Sequence, residues 1–214
     1  MEQRIGNYAC PGKRSIFCLT SPLNISRQKL ERWEFSSLIR CWLHKHGFSS
    51  PGDRQLEEFY VQVYSQSGYP TLNLSSAVIR YFRQMLYLTI KFSENFNINE
   101  SWNLNSMMLV ADRLKLSIRP AEFGGLDIES LTKSRCFWKS RVGGEKIQLP
   151  KRNHNSSLKK LWQERAIPYW ERKNIPILWA DDEVAWAFGI GPAASFLARG
   201  NKSGYLPEFS ITMD

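Results

Sequence analysis

Between Lys133 and Lys173 the chain sets twelve lysines and arginines against three acids, Glu145, Glu164 and Glu171. The net of +9 in this window equals the net charge of the whole chain, so everything outside it sums to zero. Trp138, Trp162, Tyr169 and Trp170 are set among these cations. Lysine and arginine displace counterions from a phosphate backbone while aromatic faces pack or stack, so the mixture suits nucleic-acid binding. A solvated basic face on an ordinary domain has the same composition, and charge runs are often no more than that.

Residues for bond-making chemistry are scarce. His44 and His46 flank Lys45 near an expected helix end, where interaction with the helix dipole is the commoner role, and no further ligands stand at a metal-binding spacing. His154, in the loop 151–156, is placed either to touch phosphate or to face solvent. Asp181-Asp182-Glu183 could mimic a Mg²⁺ site but reads more simply as a solvated hairpin tip. Cys10, Cys18, Cys41 and Cys136 form no CxxC pair. They read as reduced thiols, Cys41 in a helix interface, without a zinc site or disulfide framework. No catalytic, cofactor or metal residue is therefore assigned.

The elements that must carry the basic window follow from periodicity. In the first half, Leu30, Trp33, Leu38, Ile39, Trp42 and Leu43 recur at three- and four-residue steps, which predicts an amphipathic helix from Ser26, as N-cap, to His46, with Gly47 as its stop. Ser50-Pro51 restarts a helix with an inward face of Leu56, Phe59, Tyr60 and Val63, and the two should pair as a hairpin. Short segments at 71–74, 77–82 and 85–90, rich in β-branched and aromatic residues, read as strands that close it. The run 91–106 is rich in Asn and Ser and breaks every period, which marks a linker.

Beyond the linker, 107–110 and 114–118 should pair across 111–113. Strands at 135–139 and 146–149 should flank the Gly143-Gly144 turn, and Ser156 or Ser157 should cap a helix at 158–165 with a core face of Leu158, Leu161 and Trp162. Lys159 and Lys160 then point away from the core. Pro168 begins a second helical turn ending before Pro176, and 177–180 pairs with 184–188 across the acidic tip. The expected fold class is α+β: a small helical-hairpin domain with short closing strands at 22–90, then a compact mixed α/β C-terminal domain at 107–205. Residues 1–21 read as a poorly ordered lead-in and 206–214 as a tail. No apolar run approaches the roughly 18 residues of a membrane helix, and the N-terminal stretch has no signal-peptide core. A cytoplasmic location and no membrane partner are expected.

One ordered series of short motifs carries a family resemblance: Arg141-Val142-Gly143-Gly144-Glu145-Lys146, Leu149-Pro150, Ser157 through Glu164, Ile167 through Arg172, and Ile175-Pro176-Ile177-Leu178. Together they resemble the C-terminal signature of bacterial tRNA(Ile)-lysidine synthetases. Leu38 to Leu43, Arg80-Tyr81-Phe82-Arg83 and Leu86-Tyr87-Leu88 are similar to that family's helical substrate-binding domain. Two positions depart from the pattern: Lys151 stands where a glycine is expected, and Tyr169 where a second proline is usual.

The resemblance implies a part in ligating lysine to the wobble cytidine of tRNA(Ile), after ATP adenylates that base. The family's ATP and Mg²⁺ belong to an N-terminal PP-loop domain whose Ser-Gly-Gly-x-Asp-Ser loop holds the phosphates. These 214 residues contain neither that loop nor a Walker-type glycine-rich loop. The chain alone is thus expected to lack the reaction, and a separate PP-loop catalytic chain is an implied partner. The terminal domain is expected to grip the tRNA acceptor stem, with Arg141, Lys146, Lys151, Arg152, Lys159, Lys160 and Arg172 as candidate contacts. For Arg141 and Arg172 an ion pair with Glu145, Glu164 or Glu171 stays open. Trp162 and Trp170 read as core. The alternative function is a free-standing module that keeps the fold and binds a protein or generic RNA.

Overall fold

The computed structural model describes residues 3–4, 18–25, 29–65, 68–91, 98–104, 108–111, 114–121, 124–200 and 202–211. The fold is mixed α+β and divides into two compact units, one of residues 17–93 and one of residues 1–16 with 94–214.

Strand β1 (Gln3–Arg4) belongs to the second unit. The first unit runs β2 (Leu23–Asn24), α1 (Arg32–Lys45), α2 (Asp53–Ser65), β3 (Thr71–Asn73), β4 (Ala77–Phe82) and β5 (Met85–Ile90). Its strands form one antiparallel sheet in the order β2-β5-β4-β3. Phe35, Ile39, Trp42 and Leu43 are the buried face of α1, and Leu56, Phe59, Tyr60 and Val63 that of α2. Phe35 packs its ring against Phe59 and Tyr60 at 5.9 and 5.3 Å between centroids, a geometry that adds to simple area burial.

Helix α1 starts five residues later than its periodicity predicts, with Glu31 rather than Ser26 as N-cap. The carbonyl of Leu30 accepts from the Tyr60 hydroxyl at 2.9 Å, and its N–H donates to the Tyr64 hydroxyl at 3.2 Å. With its backbone groups taken by α2, Leu30 cannot enter a helix ladder, and Glu34 closes the start by accepting from the Glu31 N–H. Ser26 lies outside the described residues. Trp33, counted on the apolar face, is 70% exposed, and Phe35 fills the core instead. Cys41 is exposed rather than interfacial. Cys18 to Thr20 are not a loose lead-in: Cys18 bridges Thr89, and Leu19 is buried with its N–H on the Leu88 carbonyl.

The second unit continues with β6 (Asn99–Ser101), β7 (Met108–Ala111), β8 (Leu114–Ala121), α3 (Ile128–Leu131), β9 (Cys136–Lys139), β10 (Lys146–Gln148), β11 (Asn155–Ser157), α4 (Leu158–Glu164), α5 (Tyr169–Asn174), β12 (Ile177–Ala180), β13 (Glu183–Ala187), β14 (Gly191–Pro192) and β15 (Gly204–Ile211). One antiparallel sheet has the order β1-β15-β8-β7 and another the order β14-β13-β12-β9-β6, with β10 and β11 as a separate ribbon. Trp138 of β9 is fully buried against Trp102, Trp186 and Phe209 at 5.6, 5.8 and 5.6 Å. Because Phe209 comes from β15 and Trp186 from β13, this cluster joins the two larger sheets.

Two sequence expectations change here. Residues 99–101, assigned to the linker, form the edge strand β6 on β9, anchored by buried Ile98 and Trp102. The expected tail at 206–214 carries β15, which pairs with β8 over eight residues and with β1 at Gln3 and Arg4. The strands flanking the glycine turn do not pair with each other: β9 joins β12, and β10 turns back onto β11. Among the described residues no helix is long and apolar enough to cross a membrane.

Candidate nucleic-acid interface

The basic window is organised by a buried acid. Glu145 lies at the end of the Val142-Gly143-Gly144 turn, its side chain only 4% exposed. Its carboxylate accepts the backbone N–H groups of Val142 and Gly143 and the Arg141 guanidinium at 3.2 Å. Burial alone would raise its pKa, but the N–H of Gly143, the other backbone donors and Arg141 outweigh burial and hold the carboxyl below its ordinary value. The Glu145 carbonyl also accepts the Leu158 N–H at 3.0 Å, so one residue fixes both the turn and the start of α4. Ser157 occupies the N-cap position without a capping side-chain bond.

This frame sorts the cations by type. Arg141 is paired with Glu145 and lies over the Trp162 ring at 5.7 Å. Arg172 donates to the Ile167 carbonyl at 2.6 Å, and Arg165 to the Ile190 carbonyl at 3.0 Å. These guanidiniums act as struts, a use that suits their rigid fork of donors. Arg152 is exposed, its guanidinium at 3.3 Å from the Ser156 hydroxyl. Lys146, Lys151, Lys159 and Lys160 are exposed and make no ion pair among the described residues. Trp162 and Trp170 are buried, and the Trp162 indole N–H donates to the Phe188 carbonyl at 2.8 Å.

Of the seven candidate contacts, then, Arg141 and Arg172 are built into the fold, while Lys146, Lys151, Arg152, Lys159 and Lys160 face solvent from β10, from the loop after it and from α4. Lys151 has a φ of +67°, the left-handed region that a glycine adopts without cost, which gives the expected glycine at this position its physical reason. His154 is exposed in the same loop. Asp181 of the acidic tip is held by the Arg135 backbone N–H at 3.2 Å and its guanidinium at 3.6 Å. The Arg135 N–H, with Ser134 and the guanidinium, keeps that carboxyl below its usual value. The Cys136 thiol is pushed up to about 11 by burial and is unreactive at neutral pH.

Sequence reasoning passed over Lys139 and Trp179. Lys139 counted toward the charge, but its place beside an aromatic pair needed the pairing of β9 with β12. That pairing sets Phe137 opposite Trp179 and puts the Lys139 ammonium 5.0 and 5.6 Å from their ring centroids. The alternation of Phe137, Trp138 and Lys139 was the available signal, since it places Trp138 inward and the other two outward.

The glycine turn of the basic window does not fit the phosphates of ATP. The backbone N–H groups of Val142 and Gly143 in this turn are occupied by Glu145 and are not open to a phosphate. Among the described residues no group of three His, Cys, Asp or Glu side chains could hold a metal ion.

Comparison with known proteins gives two domain matches in order: the TilS substrate binding domain over residues 25–87 and the TilS substrate C-terminal domain over residues 136–208. A tRNA(Ile)-lysidine synthase of Coxiella burnetii is 29% identical over 80% of this chain and 39% of its own length. One of Serratia proteamaculans is 28% identical over 72% of this chain and 35% of its own. One of Haemophilus influenzae is 31% identical over 72% of this chain and 38% of its own. The chain thus spans less than two fifths of the length of these relatives. A crystal structure of a TilS C-terminal domain aligns with 47% of this chain and 86% of its own, at 22% identity and a TM-score of 0.36. With both domains matched in sequence order and a likeness running over most of its length, the chain belongs to the tRNA(Ile)-lysidine synthase family, of which it carries the substrate-binding and substrate C-terminal domains.

Proposed function

We propose that this chain holds tRNA(Ile) for the ligation of lysine to its wobble cytidine, gripping the acceptor stem with the lysine face of its second unit. The observation that carries the reading is the division of labour among the cations. Arg141, Arg165 and Arg172 serve the fold, whereas Lys146, Lys151, Arg152, Lys159 and Lys160 are exposed around one ribbon and helix. Duplex RNA presents phosphates and 2′-hydroxyls rather than readable base edges, so a surface of flexible point charges is the matching chemistry. The relatives named as tRNA(Ile)-lysidine synthases supply the substrate. ATP and Mg²⁺ act in this reading on a PP-loop domain that these 214 residues do not contain, and a cytoplasmic location follows from the substrate.

The test is polarisation binding of the full chain to tRNA(Ile) and to a minihelix of its acceptor stem across a salt series. Comparable binding to both RNAs, falling with salt, is expected. Lys159→Glu with Lys160→Glu should weaken both by about 10-fold or more and flatten the salt slope by roughly two phosphate contacts, with the folded state intact. Equal affinity in that folded double variant would remove α4 from the interface. Absence of RNA binding at every salt concentration would favour a protein-interaction module.

A further inference from the structure

A groove of about 920 Å³ opens beside the lysine face. β9 and β12 line it through Lys139 and Trp179, the glycine turn and β10 through Lys146, and the β12–β13 tip through Asp182 and Glu183. Its volume falls within the roughly 300–1,000 Å³ of small-ligand sites. Two of its acids are already matched, Glu145 by Arg141 and the turn, and Asp181 by Arg135. Among the described residues Asp182 makes no ion pair, and Glu183 accepts a hydrogen bond from the Ser195 hydroxyl at 3.0 Å with one carboxylate oxygen. What remains is an ammonium pair on β9 and β10, a half-buried indole, and two carboxylates on a different element.

Duplex phosphates do not fit this lining, because the tip carboxylates would repel them. A simple cation does not fit either, since Lys139 and Lys146 share the space. The ligand must be anionic at one end, flat in the middle and rich in hydrogen-bond donors at the other. We infer that the groove takes one unpaired nucleotide of the bound RNA: its phosphate on Lys139 and Lys146, its base stacked on Trp179, and an amino group of that base on Asp182 or Glu183. Stacking on an exposed aromatic face with a cationic backbone contact is how unpaired bases are held. Carboxylates accept from exocyclic amino groups, which adenine, cytosine and guanine possess and uracil lacks. The Lys139 ammonium over the Trp179 ring marks that face as one that attracts positive charge, and an arriving phosphate draws it off the ring.

This assignment rests on the RNA-binding reading, and one titration separates the two. The full chain is titrated at fixed salt with a blunt RNA hairpin and with the same hairpin carrying a short 3′ overhang of adenosine, cytidine or uridine. The adenosine and cytidine overhangs should tighten binding roughly 10-fold over the blunt form, and uridine by clearly less. Trp179→Leu should erase the gain while leaving blunt-hairpin affinity unchanged. Should that variant fail to fold, the double variant Asp182→Asn, Glu183→Gln at the exposed tip decides, and should bring the adenosine overhang down to the uridine level. Binding of blunt and overhanging hairpins with one affinity overturns the groove assignment and leaves the duplex reading standing. An overhang gain that survives in folded Trp179→Leu, or an adenosine advantage over uridine that survives in the folded tip variant, overturns it as well, and no binding of any hairpin overturns both.

Discussion

At the scale of single residues, the basic window is two populations with different work. Arginine offers several donors in a rigid plane, so Arg141, Arg165 and Arg172 are drawn into carboxylate and carbonyl contacts that close turns. Lysine, a hydrated point charge, is left at the surface. Charge counting could find the window but could not make this division, because it depends on which carbonyls the fold leaves within reach. Glu145 offers the sharpest test of the frame. Its carboxyl is depressed in the folded state, so it adds stability above the ordinary glutamate pKa, about 4.3 in the unfolded chain, that is lost as pH falls through the folded value. Urea unfolding between pH 3 and pH 7 should show a decline on acidification that Glu145→Gln lacks. At pH 7 that variant should be less stable by roughly 2 kcal/mol, since it weakens buried charge-assisted hydrogen bonds. The same pH slope in both proteins would show that Glu145 does not organise the turn. Lys151→Gly tests the opposite case. Relief of the left-handed strain at φ +67° should raise stability by about 1 kcal/mol, read as a higher midpoint in thermal unfolding, while RNA affinity falls because one exposed cation is gone.

At the scale of elements, periodicity located the longer helices and the strands of the first hairpin sheet, but not the short local elements α3, β11 and β14. The buried faces of α2 and α4 coincide with the predicted ones, and the strands β3, β4 and β5 lie where their β-branched and aromatic runs place them. The misses at β6, at β15 and at the start of α1 share a cause. β6 and β15 find partners far along the chain, and the start of α1 is set by side chains thirty and thirty-four residues away. None of these choices leaves a local pattern: Asn99-Glu100-Ser101 becomes a strand because β9 has a free edge, not because of its propensity. The Tyr60 and Tyr64 hydroxyls therefore carry a measurable share of the α1–α2 hairpin. Tyr60→Phe with Tyr64→Phe leaves the rings and removes both bonds to Leu30, and should cost about 1–3 kcal/mol. Hydrogen exchange would show faster exchange at the Leu30 amide and fraying of the first turn of α1. An unchanged Leu30 amide would show that the ring packing alone sets the helix start.

At the scale of the whole molecule, two compact units with separate cores imply two unfolding steps. The second unit depends on its final strand. β15 lies between β1 and β8, and its Phe209 packs on Trp138, so the sheets of that unit close only when residues 204–211 are in place. Gly204 is the entry point. A Cβ there would fall 1.4 Å from the Gly124 carbonyl oxygen, a backbone atom that cannot step aside like a side chain. Gly204→Ala must then displace either the strand or the turn before it, and the expected loss is at least 3 kcal/mol, in the range of severe backbone conflicts. Because the first unit shares none of that sheet, thermal unfolding followed by tryptophan fluorescence and by circular dichroism should keep one transition in place while the other moves down. The Tyr60→Phe, Tyr64→Phe variant should move the opposite one. If Gly204→Ala shifts both transitions together, the chain unfolds as one cooperative body. In that case RNA binding by the lysine face should be lost whenever either unit is destabilised. If they shift separately, RNA binding should follow the second unit alone and survive melting of the helical hairpin. The same pair of variants, assayed for hairpin binding at a temperature between the two transitions, would decide it.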